Sequence, residues 1–145
     1  MKAIGFYQYL PVENPESLVD VEIPDPEPGA RDLRVRVKAV SVNPVDVKIR
    51  SRLKTVEKEP KIIGWDVAGV VESIGSEVSL FKVGDEVYYA GDITRPGCNS
   101  QYHLVDERIV GRKPTKSRLV SIIARPVVWP ADSFIRIRES ARTTK

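Results

Sequence analysis

GWDVAGVVESIG, residues 64–75, decides the fold together with the upstream stretch SVNPVDVK, residues 41–48. Across the two stretches, glycines and carboxylates interrupt an apolar alternation, although a plain core strand needs neither. Backbone shape and polar chemistry therefore coincide there. We expect a functional site where these two stretches meet.

The clearest predicted strand leads into the upstream stretch, residues 41–48. Residues 33–42, LRVRVKAVSV, alternate apolar side chains with cations, which is typical of an antiparallel strand with one solvated face. The residues predicted to share its core face are Leu33, Val35, Val37, Ala39 and Ser41. Asn43 and Pro44 end this strand, and Pro44 suits the first turn of a short helix over residues 45–52, with Asn43 as its cap.

The remaining pattern is that of a mainly β protein. A proline-rich loop follows the second strand, and a polar loop spans residues 53–61. Further strands are predicted at residues 2–7, 18–23, 67–74, 86–90, 100–105 and 108–111. Short strands, frequent turns and one or two short helices indicate a partly open β-barrel or a sandwich.

Composition limits the class of protein. The chain has 145 residues, of which 41% are hydrophobic and 30% charged, as expected for one soluble domain with a core. No run of about 18 apolar residues is present, and the start MKAIGFYQYL lacks the apolar region of a signal peptide. We therefore expect a cytoplasmic protein with no membrane partner. Cys98 is the single cysteine, which excludes an intramolecular disulfide, and we expect an ordinary loop thiol.

Charge divides the chain near Pro114. Residues 1–114 carry 16 Lys and Arg against 18 Asp and Glu, whereas residues 115–145 carry 7 against 2. The strand-like pattern ends at the same point. We therefore predict a domain over residues 1–114, followed by a divergent basic tail over residues 115–145. The tail has few aromatic residues interleaved with its cations, so it is a weak candidate for binding nucleic acid, and we expect no nucleic-acid partner.

Several kinds of site are disfavoured by the residues present. The single histidine, His103, lies in an alternating strand pattern and is predicted to be a half-buried strand residue rather than a general base. Metal sites need three or four suitable ligands, and only scattered carboxylates are available. Neither the G-x-G-x-x-G nor the G-x-x-x-x-G-K-[ST] phosphate loop occurs in the sequence.

The order of motifs resembles the medium-chain dehydrogenase/reductase superfamily, and within it the quinone oxidoreductase-like proteins often labelled zinc-type alcohol dehydrogenase-like. The motifs that carry this resemblance are KAI near the start, a proline-rich loop, VRVKAVSVNPVDVK, GWDVAGVVESIG, FKVGDEV and a last strand before GRKP. The resemblance implies a GroES-like catalytic domain over residues 1–114. Relatives continue into a Rossmann domain that binds NADPH, and the sequence after Pro114 does not match it.

The resemblance also implies that this chain holds no zinc. In zinc-dependent relatives the strand-to-helix corner supplies a cysteine and, three residues on, an aspartate; the matching residues here are Asn43 and Asp46. A G-H-E motif supplies a histidine ligand, and here it has become Gly64-Trp65-Asp66. Asparagine is a poor zinc ligand and tryptophan is not one. The four-cysteine lobe that holds a structural zinc is also missing.

The resemblance implies roles for five residues. Asn43 faces the nicotinamide ribose, Asp46 and Asp66 orient the corner, Trp65 forms an apolar wall, and Lys48 aids cofactor or carbonyl binding. The structural alternatives are that Asn43 only caps the helix, Asp46 is a first-turn carboxylate, Trp65 is a core aromatic and Lys48 is a solvated charge.

The function that follows is hydride transfer from NADPH to a quinone, an enone or an aldehyde. We expect little activity from this chain alone, because the tail lacks a cofactor loop and is interpreted as truncated or frameshifted sequence. An alternative is a stand-alone binding or oligomeric module with the same fold. For an isolated catalytic half, an apolar patch around Trp65 is expected to be exposed and to favour a homo-oligomer.

Overall fold

The computed structural model describes residues 1–114 and the backbone of residues 128–130. Its strands are β1 (Lys2–Phe6), β2 (Val19–Glu22), β3 (Asp32–Ser41), β4 (Lys61–Ile62), β5 (Asp66–Ile74), β6 (Glu86–Ala90), β7 (Tyr102–Asp106), β8 (Gly111–Arg112) and β9 (Val128–Pro130). One α-helix, α1 (Pro44–Arg52), follows β3, and a 3-10 turn (Glu107–Ile109) follows β7. Within this part of the chain, no helix is long and apolar enough to cross a membrane.

The strands form two antiparallel sheets. The smaller sheet has the order β2-β1-β4, and the larger has the order β7-β3-β5-β6-β8, with β9 pairing to β3 beside β7. Among the described residues the sheets do not close into a barrel. The prediction of a mainly β, partly open fold with a short helix is confirmed.

A bulge in β3 overturns part of the predicted side-chain alternation. The pairing of β3 with β5 shifts between Val37 and Ala39, so that Val40 pairs with Val67. Val40 and Val67 both belong to the main core cluster. Since a shift by one residue exchanges the two faces of a strand, Ala39 and Ser41 lie on the face opposite this core. The prediction that both share the core face with Val37 is therefore wrong, although both are buried.

Two clusters form the core. The larger lies between the central strands and contains Leu33, Val35, Val37, Val40, Val67, Val71, Phe81, Val87, Tyr89, Cys98 and Val105. The smaller contains Phe6, Ile63 and Trp65, and the inner face of α1 packs against it. Helix α1 is thus held over the smaller sheet, which fixes the direction of the chain as it leaves β3.

The last predicted strand, residues 108–111, is only partly present. Residues 107–109 form a 3-10 turn, because the Asp106 side chain accepts a hydrogen bond from the Arg108 backbone N–H and so caps the turn. Pairing to β6 resumes only at Gly111 and Arg112.

The predicted divergent basic tail, residues 115–145, lies largely outside the described part of the chain. Strand β9 is the exception. Its backbone pairs antiparallel to β3, with Ser41 opposite Val128 and Ala39 opposite Pro130. Residues 128–130 thus continue the β7 side of β3 up to the end of the strand.

Candidate active site

Two reciprocal hydrogen bonds between Asn43 and Asp46 fix the start of α1. The Asn43 N–H donates to Asp46 Oδ2 over 2.6 Å, and the Asp46 N–H donates to the Asn43 carbonyl oxygen over 3.0 Å. Pro44 occupies the first turn, where no N–H is needed. The predicted helix start and the Asn43 cap position are confirmed. The Asp46 carboxylate fixes the angle at which the chain turns from β3 into α1.

The Asn43 side chain points to the other organising stretch. Its Nδ2 donates to Asp66 Oδ2, at the start of β5, over 2.5 Å. Asn43 and Asp66 are both half-buried, so this polar pair is shielded but still accessible. The two stretches therefore meet through a charge-assisted hydrogen bond. We call the site formed by residues 41–46 and 64–66 the Asn43 corner.

Asp46 lies beneath this pair and is buried. Burial raises the pKa of its carboxyl, and the charge of Asp66 adds to the effect, while the backbone N–H groups of Asn43 and Gly64 oppose it. A buried carboxylate that accepts the Asn43 backbone N–H holds the chain in place. Asp46 is thus suited to orient the corner rather than to contact a ligand.

The Trp65 side chain is buried and does not form an exposed apolar wall at the site. It is 4% exposed and packs with Phe6 and Ile63 in the cluster beneath α1. The expectation of an exposed apolar patch around Trp65 is therefore wrong for this side chain. Its indole N–H has no hydrogen-bond partner within residues 1–114.

Lys48 lies on the exposed side of α1, and no hydrogen bond or ion pair described for residues 1–114 connects it to the corner. The structure thus brings Asn43, Asp46 and Asp66 together. It leaves Lys48 in solvent and places Trp65 in the core.

Ser41 belongs to the corner but was not among the predicted site residues. It pairs directly with Asp66 across the β3–β5 ladder, and it is buried. Simple alternation placed it on the core face with Val37. A one-residue bulge leaves no clear signal in the sequence, so only the observed register assigns Ser41 to the corner.

A loop between β6 and β7 supports the corner from behind. Its backbone N–H groups at Gly97, Cys98 and Asn99 donate to the carbonyl oxygens of Ile62, Gly64 and Ile63, respectively. The Cys98 thiol is fully buried, and burial raises its pKa well above the ordinary value. Cys98 is therefore an inert packing residue of this loop, consistent with the predicted loop thiol.

We expect the corner to require glycine at residue 64, because the backbone there has a positive φ and because neighbouring atoms leave no room for a side chain. Gly64 and Gly84 both have positive φ, at 94° and 93°. A Cβ on Gly64 would lie 2.6 Å from Asn99 Oδ1 and 3.0 Å from Cys98 Sγ, whereas a Cβ on Gly84 would meet nothing within 4 Å.

Gly84→Ala should therefore lower the free energy of unfolding by about 1 kcal/mol, through backbone strain alone. Gly64→Ala should lower it by about 2 kcal/mol, because crowding is added. Denaturant unfolding of both variants measures the difference. Equal losses would show that the loop behind Gly64 moves aside without penalty.

The donors at the corner do not fit zinc. Its side chains supply two carboxylates, an amide and a hydroxyl, and the Asp46 carboxylate already accepts the Asn43 backbone N–H. His103 is engaged elsewhere: Tyr89 Oη lies 2.9 Å from its Nδ1, and its Nε2 lies 3.1 Å from the Pro96 carbonyl oxygen. Within the described ranges, no group of three or more His, Cys, Asp or Glu side chains could hold a metal ion.

Two antiparallel sheets, with a helix whose N-terminus carries a polar corner, define a GroES-like domain of the medium-chain dehydrogenase/reductase type. The family model for the alcohol dehydrogenase GroES-like domain matches residues 29–139. The chain belongs to this family. Both the predicted family and the predicted fold are thereby confirmed.

Individual relatives agree with this assignment. The chain is 36% identical over 127 residues to a zinc-type alcohol dehydrogenase-like protein of Staphylococcus epidermidis, covering 88% of this chain and 37% of that protein. It resembles the crystal structure of a candidate zinc-dependent alcohol dehydrogenase from Rhizobium etli CFN 42, with 51% identity and a TM-score of 0.80, covering 87% of this chain and 36% of the other.

The structure of Escherichia coli quinone oxidoreductase complexed with NADPH is also similar, with 29% identity and a TM-score of 0.74 over 86% of this chain and 37% of the other. The chain thus spans about a third of the length of the relatives that it matches.

Proposed function

We propose that the chain is the catalytic portion of an NADPH-dependent oxidoreductase that reduces a quinone or an activated alkene or carbonyl compound. The hydrogen bond from Asn43 to Asp66 carries this proposal, because it brings an accessible amide and a carboxylate together at the junction of the two motif stretches. Support comes from the similarity to a quinone oxidoreductase whose structure was solved with NADPH.

The corner suits the nicotinamide end of the cofactor. The Asn43 amide can donate to a ribose hydroxyl or a carbonyl oxygen, and the Asp66 carboxylate can accept from a hydroxyl. NADPH supplies the hydride when it is bound. Asp46 and the loop behind Gly64 hold Asn43 and Asp66 in place, so the contribution of this chain is positioning and polarisation.

The proposal includes no zinc. Asn43 and Trp65 occupy the places where the resemblance implies zinc ligands in relatives, and the Asp46 carboxylate is committed to the helix start. Polarisation of the substrate carbonyl therefore falls to hydrogen-bond donors, and the Asn43 amide is an accessible donor at the corner.

The 145 residues contain no glycine-rich dinucleotide loop. Sequence outside them is proposed to hold most of the cofactor, so the chain alone should bind NADPH weakly and turn over slowly or not at all.

A chimera tests this function. Residues 1–114 of this chain would replace the matching part of the Rhizobium etli protein, and NADPH oxidation would be followed with a benzoquinone as acceptor. We expect turnover, and we expect Asn43→Ala in the chimera to lower kcat/KM about 30-fold, since a hydrogen bond to a polar ligand group is lost.

Ser51→Ala, an exposed change on the same helix, is the matched control and should stay within about twofold of the parent. A folded chimera that does not turn over, or an Asn43→Ala chimera as active as its parent, would contradict the proposed function. Dialysis against a chelator should leave the rate unchanged; loss of activity that zinc restores would overturn the zinc-free part.

A further inference from the structure

One buried hydroxyl at the Asn43 corner has no hydrogen-bond partner among the described residues. Ser41 is 3% exposed, and its Oγ is unpaired in that part of the chain. Buried polar atoms in folded proteins are nearly always paired, so an unpaired one needs a physical explanation. The pairing of Asn43 with Asp66 makes no use of this hydroxyl.

Ser41 faces the carboxylate that Asn43 holds. Ser41 and Asp66 are directly opposite on antiparallel strands, so their side chains leave the sheet on the same face with Cβ atoms about 4.5–5.5 Å apart. At that separation, rotation about χ1 of Ser41 can bring its Oγ within hydrogen-bond distance of the carboxylate. In the structure, however, Asp66 Oδ2 accepts from Asn43 Nδ2 instead.

We propose that Ser41 is a positioning residue that replaces Asn43 as the hydrogen-bond donor to Asp66 when the Asn43 amide turns to a ligand. This inference rests on the proposed function, because Asn43 needs a ligand polar group to turn to. The corner then has two hydrogen-bonded states. In one state Asn43 donates to Asp66, and the Ser41 hydroxyl does not bond to Asp66. In the other state Asn43 donates to the ligand, and the Ser41 hydroxyl donates to Asp66.

The exchange removes a penalty that ligand binding would otherwise meet. A half-buried carboxylate that loses its donor is left with an unpaired charge, which is unfavourable in a shielded site. Asp66 also lies near enough to the buried Asp46 carboxyl and the Cys98 thiol for its charge to act on both. A second donor to Asp66 therefore matters more at this corner than at an exposed site.

The test removes the Asn43 amide and asks whether Ser41 takes its place. Thermal unfolding would be compared for Ser41→Thr and Ser41→Val variants of the 145-residue chain, each with Asn43 intact and with Asn43→Ala. Threonine and valine have nearly the same shape, so crowding cancels and only the hydroxyl differs. Ser41→Ala, with and without Asn43→Ala, provides a second pair that adds no bulk.

While Asn43 is present, the Val chain should unfold at or above the temperature of the Thr chain, because the threonine hydroxyl is then buried without a partner. In the Asn43→Ala background the Val chain should unfold at least about 3 °C below the Thr chain, because Asp66 then depends on the hydroxyl. The carboxyl carbon NMR resonance of Asp66 should likewise respond to loss of the hydroxyl only in the Asn43→Ala background.

A difference between Thr and Val that is the same in both backgrounds, or an Asp66 resonance that ignores the hydroxyl throughout, would overturn the proposal. Neither measurement uses a cofactor or turnover. If the chimera failed to transfer hydride, the unfolding and NMR results could therefore still be interpreted. Likewise, failure of the Ser41 test would leave the chimera result interpretable.

Discussion

Glu107→Ala is expected to lower the free energy of unfolding by about 3–5 kcal/mol, because it removes a buried carboxylate that two backbone amides depend on. Glu107 is 1% exposed, and its Oε2 accepts from the backbone N–H groups of Ser79 and Leu80 over 2.9 and 2.7 Å. Its Oε1 lies 3.7 Å from the Arg31 guanidinium. Alanine would leave two backbone donors unpaired and open a cavity beside the core.

Two controls separate these contributions. Glu107→Gln keeps one acceptor oxygen and nearly the same volume, so it should lose about 1–2 kcal/mol. Glu77→Ala removes the exposed partner of Arg31 and should change stability by less than about 0.5 kcal/mol. Denaturant unfolding of the three variants gives these values. If Glu107→Ala were as mild as Glu77→Ala, the carboxylate would not anchor the loop before Phe81.

The second large effect is a loss of stability in acid that depends on His103. Burial lowers the pKa of His103 from 6.5 to about 4. The Pro96 carbonyl can only accept, so Nε2 carries the proton and Nδ1 accepts from the Tyr89 hydroxyl. Protonation of Nδ1 would force the Tyr89 hydroxyl to change from donor to acceptor and would place a cation in the core.

The direction of the pH dependence follows from proton binding. Between pH 6.5 and pH 4 the unfolded chain binds a proton at His103 that the folded chain does not, so stability falls as the pH falls through this window. The difference between the two pKa values corresponds to about 3 kcal/mol. Above pH 6.5 this contribution is fully present.

His103→Gln, which keeps one donor and one acceptor, isolates this contribution from the carboxylates that titrate nearby. Unfolding curves of the wild type and the variant at about pH 7 and pH 4 should show a smaller drop in the variant by about 3 kcal/mol. Identical drops would mean that the imidazole titrates alike in the folded and unfolded chains.

Sequence reasoning succeeded where one local signal dominated. Alternation identified the core-facing residues of β3 as far as Val37, and proline chemistry placed Pro44 in the first turn of α1. The motif order then indicated the family that the comparisons confirm. These features depend on neighbours in sequence, so they can be predicted without knowledge of the fold.

Other features depend on contacts that no local pattern encodes. The bulge after Val37 moved Ser41 from the core face to the corner, and Trp65 was buried once α1 packed over it. The buried role of Glu107 depends on two backbone amides far away in sequence. In each case tertiary packing decided what alternation or composition had left open.

The most direct test of the central claim, that the Asn43 corner is where the cofactor acts, is an NMR titration of the isotope-labelled 145-residue chain with NADPH. Weak binding is predicted, without saturation at micromolar concentrations. At millimolar concentrations the amide shifts should concentrate at residues 41–46 and 64–66. Shifts confined to other parts of the chain, or none at those residues, would contradict the claim.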